Sequence, residues 1–481
     1  MKITFLVPPS FDENKPAERT AGCTRLVYDM PNIYALTVAA VFEREGYDVR
    51  YEDFVLKRKS KEDCKKFIEQ DDSEMYVFWS VNLSIATDVE VQKLIHASHP
   101  HAYVVFMGPA GTYFPDMLLD GEKSVIVRGE PELTAIELAA AIAKGEDWRN
   151  IDGLFYYDTE NKRVTATKPR PLNKNLDDLP FPAIHFIEDF HFMNPKLKVS
   201  PYMSVVASRN CPFHCIYCVP SSLTFAREIE FRAQNPGRKP PVGFRSVENV
   251  VAEIESLAAK GYKAIGFMDD NFITTAKRLD AICEPLRKHG IVWGCQARVD
   301  AITEEVAQIL AKSNCKYVDL GIESFNDEIL KFIRKGITEN QIYEAINLLK
   351  KYDVPIKLNI LIGTSPIETE ETIKDTFRKV KSLKVDAVMF NIVSPFPATE
   401  FHDMALKNGW IKGGKYTPTD VQRTSILEYP NLSSKQMEKL LFRNNISFYL
   451  SPSFVLRNIV KFRSWKDFVM AVKAIKVKLF G

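Results

Sequence analysis

The chain has 481 residues, 46% of them hydrophobic, which is enough for two or three domains with cores of their own. Its formal net charge of +2 says little about partners and gives no reason to expect nucleic acid. The sequence shows no signal peptide and no stretch of roughly 20 apolar residues, and its five cysteines outside residues 211–218 have no paired spacing, so we expect a cytoplasmic protein without a disulfide framework.

Residues 1–150 alternate short β-rich runs with helical patterns. The runs predicted as strands are Ile3–Val7, Val49–Asp53, Met75–Trp79, Tyr103–Met107 and Ser124–Val127. The helical patterns between them lie near residues 32–46, 86–98 and 132–144. This alternation is typical of an α/β domain with a doubly wound parallel sheet.

Small and polar residues fill the loops that follow these strands. The residues singled out are Ser80, Asn82, Ser84, Gly108, Gly111, Thr112, Gly129 and Glu130. Doubly wound sheets bind ligands outside the carboxyl ends of their strands, so these loops are candidates to line a cleft for a large flat cofactor. The alternative is that the glycines only make tight turns, and no Gly-x-Gly-x-x-Gly phosphate loop is present.

A connector at residues 151–200 separates this domain from the next. It contains a predicted hairpin, formed by Gly153–Tyr157 and Val164–Lys168, and a proline-rich run over residues 176–183. Pro180 and Pro182 disfavour helix there. The composition therefore predicts a domain boundary.

Three cysteines, Cys211, Cys215 and Cys218, form a Cys-x-x-x-Cys-x-x-Cys array just after the apolar run 202–207. A [4Fe-4S] cluster normally has four thiolate ligands, so three leave one iron open to a small molecule. An open iron indicates chemistry rather than plain electron transport. A zinc site or buried core cysteines are the alternatives, but zinc usually takes its fourth ligand from a second Cys/His pair, and His214 lies between two ligands.

Residues 201–405 alternate strand and helix patterns more regularly. The predicted strands lie at 202–207, 263–268, 291–297, 316–322, 356–362 and 386–393. The predicted helices lie near 246–260, 276–289, 303–313, 338–352 and 369–384, and Thr338 with Gln341 forms a capping box. Six βα units predict an open, partial TIM-type barrel, (βα)6, whose active residues stand at the carboxyl ends of the strands.

The cysteine array, with Tyr217 before its last cysteine, six βα units behind it and a doubly wound domain ahead of it, resembles the radical SAM enzymes. It is most similar to the subclass that carries an N-terminal cobalamin-binding domain. The resemblance covers about residues 1–405. Its weaker supporting segments are VVFMGPAGT (104–112), VRGEPELT (127–134), NLDDLPFPA (175–183), FMDDNF (267–272) and GIES (321–324).

This resemblance implies three cofactors and a division into four regions. The cofactors are a [4Fe-4S] cluster on the three cysteines, S-adenosylmethionine (SAM) and cobalamin, with a reductant such as flavodoxin or ferredoxin. The regions are a cobalamin-binding-like domain at 1–150, the connector at 151–200, the radical SAM core at 201–405 and a helical basic tail at 406–481. In this family the cofactors carry the difficult chemistry, and the protein places the radical against a C–H bond.

The resemblance also assigns candidate residues at later strand ends to SAM. They are Asp269, Asp270, Asn271, Arg298, Glu323 and Ser324. Ordinary salt bridges at the barrel rim are the competing interpretation for the charged members. The small and polar loop residues of the first domain are assigned to cobalamin, and no catalytic residue is assigned.

Two departures from the family pattern affect these assignments. After the fifth barrel strand the chain reads GTSPIET (363–369) where a Pro-Gly-Glu-Thr-like turn is common, and Pro397-Ala398-Thr399 replaces Pro-Gly-Thr after the sixth. No Asp-x-His-x-x-Gly segment supplies an axial histidine to cobalamin, although members of the subclass commonly lack it.

The tail beyond the barrel is rich in basic residues and is predicted to be helical. Residues 452–480 mix aromatic and aliphatic residues with lysine and arginine, a pattern typical of helices that lie on an anionic membrane surface. Membrane association would suggest a lipid or isoprenoid substrate. The alternative is a lid helix that packs its apolar face on the barrel mouth.

The leading hypothesis is a cobalamin-dependent methyltransferase that acts on an unactivated carbon. In it, one SAM methylates cobalamin and a second yields the radical that abstracts a substrate hydrogen. A radical SAM oxidation, cyclisation or carbon–carbon coupling is the alternative. An RNA methylthiotransferase is less favoured, because only Cys23 and Cys64 precede the array, and so is a non-enzymatic iron–sulfur protein.

Overall fold

The computed structural model describes residues 1–12, 14–219 and 221–459. The chain divides into two compact units, each assembled from separate segments. The first comprises Met1–Phe192, Met203–Pro212 and Val219–Glu253. The second comprises Met193–Tyr202, Phe213–Cys218 and the chain from Ile254 onward. Of the predicted amphipathic segment 452–480, residues 460–480 lie outside the described residues.

A seven-stranded sheet forms the centre of the first unit. Its strands are β1 (Lys2–Val7), β2 (Asp48–Asp53), β3 (Met75–Trp79), β4 (Tyr103–Met107), β5 (Ser124–Val127), β6 (Leu154–Asp158) and β7 (Arg163–Ala166). Their order is β2-β1-β3-β4-β5-β6-β7, with the first five parallel. The predicted doubly wound parallel sheet is thus confirmed.

Six helices cover this sheet or connect its strands. They are α1 (Ile33–Arg44), α2 (Lys61–Gln70), α3 (Ile85–Ser98), α4 (Pro109–Tyr113), α5 (Pro115–Leu118) and α6 (Pro131–Lys144). Helix α2 was not predicted from the sequence, because it is mostly polar and buries only Cys64 and Ile68. A weak apolar stripe of this kind gives little periodic signal.

The hairpin predicted within the connector is present, and it continues the first sheet. Strand β6 pairs antiparallel with β5, with Val127 opposite Leu154, and β7 pairs antiparallel with β6. The first unit therefore extends beyond residue 150, because these pairings satisfy the edge of β5.

A second, six-stranded sheet is formed by strands between residues 202 and 392. Its strands are β8 (Tyr202–Val205), β11 (Ala264–Phe267), β12 (Val292–Ala297), β13 (Cys315–Glu323), β14 (Ile356–Ile362) and β15 (Ala387–Ile392), and the short pair β9 (Ser208–Arg209) and β10 (Gly243–Phe244) stands apart from it. The order β15-β14-β13-β12-β11-β8 follows the chain and confirms the six predicted βα units.

Ten further helices follow in the described part of the chain, and the first of them belongs to the first unit. They are α7 (Ser222–Gln234), α8 (Val247–Ala259), α9 (Ala276–Lys288), α10 (Glu304–Lys312), α11 (Asp327–Phe332), α12 (Glu339–Lys351), α13 (Glu370–Ser382), α14 (Glu400–Lys407), α15 (Ser434–Tyr449) and α16 (Pro452–Ile459). The predicted capping box at α12 is confirmed, since the Thr338 N–H donates to Gln341 Oε1 over 2.9 Å. None of the helices in the described ranges is long and apolar enough to cross a bilayer.

The two faces of the barrel sheet differ in chemistry. On β13, Val318, Leu320 and Ile322 are fully buried on the outer side, where α10 packs against the strand. Asp319 alternates with them and therefore points to the inner side. Glu323 follows a bulge in the strand, has φ +63°, and its carboxylate accepts from Lys335 Nζ. Polar groups are thus directed into the barrel and toward the carboxyl ends of its strands.

Candidate active site

The cysteine loop follows β9, and neighbouring elements fix its second half. Cys215 is buried, while Cys211 and Cys218 are half-buried. The Ile216 N–H donates to the Ile333 carbonyl at the end of α11 over 3.2 Å, and the Ile216 carbonyl accepts from the Phe401 N–H in α14 over 3.1 Å. The backbone between Cys215 and Cys218 is therefore held in place from two sides.

The guanidinium of Arg298 lies beside Cys215. Its Nη1 is 3.9 Å from Cys215 Sγ, and the group lies 3.5 Å from the centre of the Phe213 ring. Two 2.9 Å bonds to Asp300 and a 2.8 Å bond to the Lys335 carbonyl fix its orientation. The guanidinium is thus held in a fixed position beside the thiol.

A second cation, Lys335, stands near the same loop. Its Nζ donates to Glu323 Oε1 over 2.7 Å, and both side chains are buried. Burial lowers the pKa of Lys335, but the charges of Glu323 and of the Cys215 thiolate outweigh it, so the pKa is raised overall. Burial, followed by the Glu323 charge, raises the pKa of Tyr217 well above its usual value. Lys335 therefore stays protonated and Tyr217 neutral.

The donor chemistry of this loop fits an iron–sulfur cluster. Within the described ranges, no three His, Cys, Asp or Glu side chains are already arranged as a metal site. The fit rests instead on three thiols in one short loop and on the two cations directed at it. Cys211, Cys215 and Cys218 would hold the cluster, whose net negative charge Arg298 and Lys335 would offset.

The predicted SAM residues Asp269, Asp270 and Asn271 follow β11 directly. Asp269 and Asn271 are buried, and Asn271 Oδ1 has no partner among the residues that the structure describes. The Phe272 ring stacks on Phe267 with a 4.0 Å centroid separation and holds this loop against the strand end. Asn271 thus has a free acceptor at the expected position.

The other three predicted SAM residues separate into two groups. Arg298 and Glu323 lie near Cys215, although both are also members of ion pairs, as the competing interpretation proposed. The Ser324 hydroxyl is 3.5 Å from Thr376 Oγ1 of α13 and accepts from the Asn326 N–H. The structure therefore places Ser324 on the outer side of the sheet, away from the cysteine loop.

In the first unit, Ser80 and Ser84 belong to a buried network at the end of β3. Both hydroxyls donate to Asp88 Oδ2 over 2.7 Å, and Arg19 forms a bidentate ion pair with the same carboxylate. Asn82, between the two serines, is also buried. These polar groups stabilise the loop at the edge where ligands of such sheets bind.

Close packing explains the glycines of this edge. Gly108 has φ +90°, and a Cβ there would lie 2.7 Å from the Ser80 carbonyl oxygen. A Cβ on Gly111 would lie 2.9 Å from the Ile126 side chain, and Gly129 has φ +64°. The Thr112 hydroxyl donates to the Gly108 carbonyl over 3.0 Å. Larger residues are therefore excluded by the protein itself.

Helix α7 lies on this edge of the first sheet. Its Ser222 hydroxyl accepts from Trp79 Nε1 over 3.0 Å, and Glu230 pairs with Arg128 over 3.3 Å. A Cβ on Gly129 would lie 3.2 Å from the Glu230 side chain. The loops predicted to line a cofactor cleft are thus covered by α7.

Glu130 is the centre of a buried ion-pair network. It accepts from Arg209 over 2.9 Å and pairs with Arg227 Nε of α7 over 2.9 Å, while Arg209 also pairs with Glu132. Burial raises the pKa of Glu130, but Arg227 and Arg209 outweigh it and hold the pKa below its usual value. Glu130 therefore stabilises the fold in this structure.

Several functional residues were not found from the sequence. Lys335 precedes Gly336 in a turn and carries no motif that distinguishes it from a surface lysine. Glu368 accepts from the Gly363 and Thr364 N–H groups and organises the loop after β14. Its position within the GTSPIET segment was the one available signal, since family members carry a glutamate in the corresponding turn.

Comparison with known proteins agrees with these observations. A profile of the radical SAM superfamily matches residues 205–380. The chain is 31% identical over 467 residues to the uncharacterised methyltransferase PH0819 of Pyrococcus horikoshii, covering 95% of both proteins.

Two solved structures are similar in fold. The radical SAM methyltransferase TsrM of Kitasatospora setae, with tryptophan and a SAM analogue bound, matches with a TM-score of 0.64 at 18% identity, over 84% of this chain and 76% of TsrM. The cobalamin-dependent radical enzyme OxsB, with aqua-cobalamin and SAM bound, matches with a TM-score of 0.71 at 14% identity, over 100% of this chain and 72% of OxsB.

Proposed function

Because this chain is an enzyme of the radical SAM superfamily, we propose that it is a cobalamin-dependent methyltransferase that methylates an unactivated carbon. The observation that carries the proposal is the thiol loop around Cys215, faced by Arg298 and Lys335 at the carboxyl ends of parallel strands. The methyltransferase name of the archaeal relative, which matches over nearly the full length of both chains, supports methyl transfer.

In this proposal the cysteine loop holds a [4Fe-4S] cluster, and neighbouring side chains position SAM. When bound, the cluster supplies the electron that cleaves SAM, and cobalamin carries the methyl group. Arg298 lies 3.9 Å from Cys215 Sγ and stacks on the Phe213 ring, so it is placed to offset the negative charge of a cluster held there. Asn271 and Glu323 offer acceptors for the amino and hydroxyl groups of SAM.

We place cobalamin at the carboxyl edge of the first sheet, beside Ser80, Gly108 and Gly129. Doubly wound sheets bind ligands at this edge, where the glycines are packed against Ser80 and Glu230 in this structure. Helix α7 contacts the same loops through Ser222 and Glu230, so binding at this edge requires those contacts to rearrange.

A lipid or isoprenoid methyl acceptor remains a proposal based on the basic, amphipathic sequence of residues 452–480. The structure describes only α16, up to Ile459, from this segment. Contact of the segment with a membrane is part of the same proposal, and so is electron supply by a flavodoxin or ferredoxin.

The test is anaerobic reconstitution with iron, sulfide and hydroxocobalamin, followed by reduction in the presence of SAM. Mass spectrometry then measures 5′-deoxyadenosine, S-adenosylhomocysteine and retained corrinoid. We expect all three, and we expect Cys215→Ala to abolish 5′-deoxyadenosine formation together with the iron content of the cluster. Cys23→Ala is the matched control, since Cys23 lies outside the array.

Each contrary result points to a definite alternative. Deoxyadenosine without homocysteine or corrinoid would keep the radical enzyme and replace methyl transfer by oxidation, cyclisation or coupling. No deoxyadenosine from a protein with full iron content would refute the radical mechanism.

A further inference from the structure

The inner face of the barrel sheet is polar where such interiors are usually filled with branched apolar side chains. Gln296 on β12, Asn359 on β14 and Asn391 on β15 are half-buried on this face, and Asp319 and Lys357 are buried beside them. The same strands are apolar on the outer face. This asymmetry indicates that the interior is built to bind a polar molecule.

A carboxylate and two ammonium groups form the deepest polar layer. Asp319 Oδ2 accepts from Lys196 Nζ over 2.7 Å and from Lys357 Nζ over 2.8 Å. Asp319 and Lys357 are paired in register on adjacent strands, whereas Lys196 comes from the segment before β8. Burial lowers the pKa of Lys357, and the charge of Asp319 opposes that effect. With both amines protonated, the three groups carry a formal net charge of +1, so the layer attracts an anion.

Aromatic rings lie beneath this layer. The Tyr317 ring lies under Lys196 Nζ at 3.9 Å and fills the space over Gly294, where a Cβ would be 2.4 Å from the ring. Tyr202 covers Gly266 in the same way, with its hydroxyl 2.4 Å from the position of a Cβ. The polar layer is therefore the first one above an aromatic floor.

The depth of the layer below the cysteine loop follows from strand geometry. Glu323, near Cys215 and Cys218, is four residues after Asp319 on β13. At about 3.3 Å per residue, and with a bulge between Gly321 and Glu323 that shortens the strand, the two lie at most about 13 Å apart. A substrate anchored at the lysines would span that distance to the reacting end.

Unused hydrogen-bonding capacity remains in this layer. Asp319 Oδ1 is buried without a partner in the described part of the chain, and so is Asn391 Oδ1. Each lysine ammonium has three donors, and the bond to Asp319 uses one of them. A ligand with an anionic group and a nearby donor, such as a hydroxyl, would satisfy both kinds of group.

We propose that Lys196 and Lys357 anchor a carboxylate, phosphate or phosphonate group of the methyl acceptor, with Asp319 setting the charge and orientation of both ammonium groups. The substrate class is therefore an acid whose methylated carbon lies up to about 13 Å from its anionic group, by the strand spacing used above. The identity of the ligand as a methyl acceptor rests on the proposed function. The anion site stands on its own geometry.

The structural alternative is that the triad only closes the lower end of the barrel by tying residues 193–202 to β13. The two interpretations differ in the effect of Asp319→Asn. A purely structural triad loses stability and gains no affinity for anions. An anion site gains affinity, because two ammonium groups lose their internal counter-ion.

The experiment measures binding of inorganic phosphate to the full chain with its reconstituted cluster, by titration calorimetry without SAM. We expect Lys196→Met and Lys357→Met each to weaken phosphate binding at least tenfold, and Asp319→Asn to tighten it at least threefold. Lys351→Met is the matched control, because Lys351 forms an exposed pair with Glu304 and should leave binding unchanged.

A ten-carbon alkyl phosphate serves as a second probe. If this probe binds more tightly than inorganic phosphate and its binding depends on the lysines, the natural ligand is a lipid acid. If the two bind equally, the natural ligand is a soluble acid. Either result supports the anion site. Phosphate affinity that is the same in all variants, or that falls in Asp319→Asn, overturns the proposal. If Lys357→Met does not fold, the phosphate affinities of Lys196→Met and Asp319→Asn still distinguish the anion site from a purely structural triad.

The assay is independent of turnover. If the reconstituted protein forms no 5′-deoxyadenosine but still binds phosphate through the two lysines, the proposed function is refuted and the anion site stands. If the protein transfers methyl groups but its phosphate binding does not depend on the lysines, the anion site is refuted and the proposed function stands.

Discussion

Glu368, in the loop after β14, gives the sharpest pH-dependent prediction. Its carboxylate is buried and accepts from the Gly363 N–H over 2.5 Å and the Thr364 N–H over 3.0 Å. Burial raises its pKa from 4.5 to about 8, against the opposing effect of these two bonds. At neutral pH the folded protein therefore holds a proton that the unfolded chain releases.

The size of the effect follows from that pKa difference. One pKa unit corresponds to about 1.4 kcal/mol, so a carboxyl that moves from 4.5 to about 8 contributes about 5 kcal/mol as an upper value. Because the pKa of Glu368 is higher in the folded protein than in the unfolded chain, the free energy of unfolding falls as the pH rises. This stability is fully present below pH 4.5 and is lost as the pH rises to about 8.

The perturbation is Glu368→Gln, which keeps an oxygen acceptor for both N–H groups and cannot ionise. We expect the two proteins to melt at similar temperatures at pH 5, and the variant to melt several degrees higher at pH 8. Differential scanning calorimetry between pH 5 and pH 8 measures the difference in melting temperature between the variant and the wild type. The control is Glu371→Gln on the exposed side of α13, which should melt parallel to the wild type.

Parallel pH profiles for wild type and Glu368→Gln would refute the reasoning. They would show that Glu368 is ionised in the folded protein at neutral pH and that the two N–H bonds outweigh burial.

Three further predictions concern the first unit. Gly108→Ala should lower the free energy of unfolding by about 2–4 kcal/mol in urea titrations, because φ is +90° and its Cβ would lie 2.7 Å from the Ser80 oxygen. Arg209→Met should cost about 3–5 kcal/mol in the same assay, since it leaves two glutamates of a buried network without that cation. Hydroxocobalamin should accelerate amide hydrogen exchange in α7; unchanged exchange with retained corrinoid would place the cofactor elsewhere.

Much of the fold was predictable because its signals are local. Strands such as β3 and β4 are short apolar runs between turn residues, and the sequence prediction matches their bounds. Helix α7 was missed because its buried residues include Arg227, Glu228 and Glu230, so no apolar stripe marks it. Its ion pairs come from distant segments that periodicity does not report.

The candidate site divides in the same way. The three cysteines were found because they lie within eight residues of one another, by their numbering. Asp319 was not found, because its partner Lys196 is 123 residues away in the chain. The assignment of Ser324 to SAM rests on its position at a strand end and stays a prediction; its hydroxyl lies 3.5 Å from Thr376 Oγ1 of α13.

The interleaved segments of the first unit have a consequence for its synthesis and for attempts to dissect it. A fragment that ends at Phe192 has all seven strands of the first sheet, yet it lacks Arg209 and Arg227. Glu130 and Glu132 would then be buried without those cations, which native proteins avoid. On the ribosome, the amino-terminal sheet therefore reaches its final stability only after the cysteine loop and α7 have emerged.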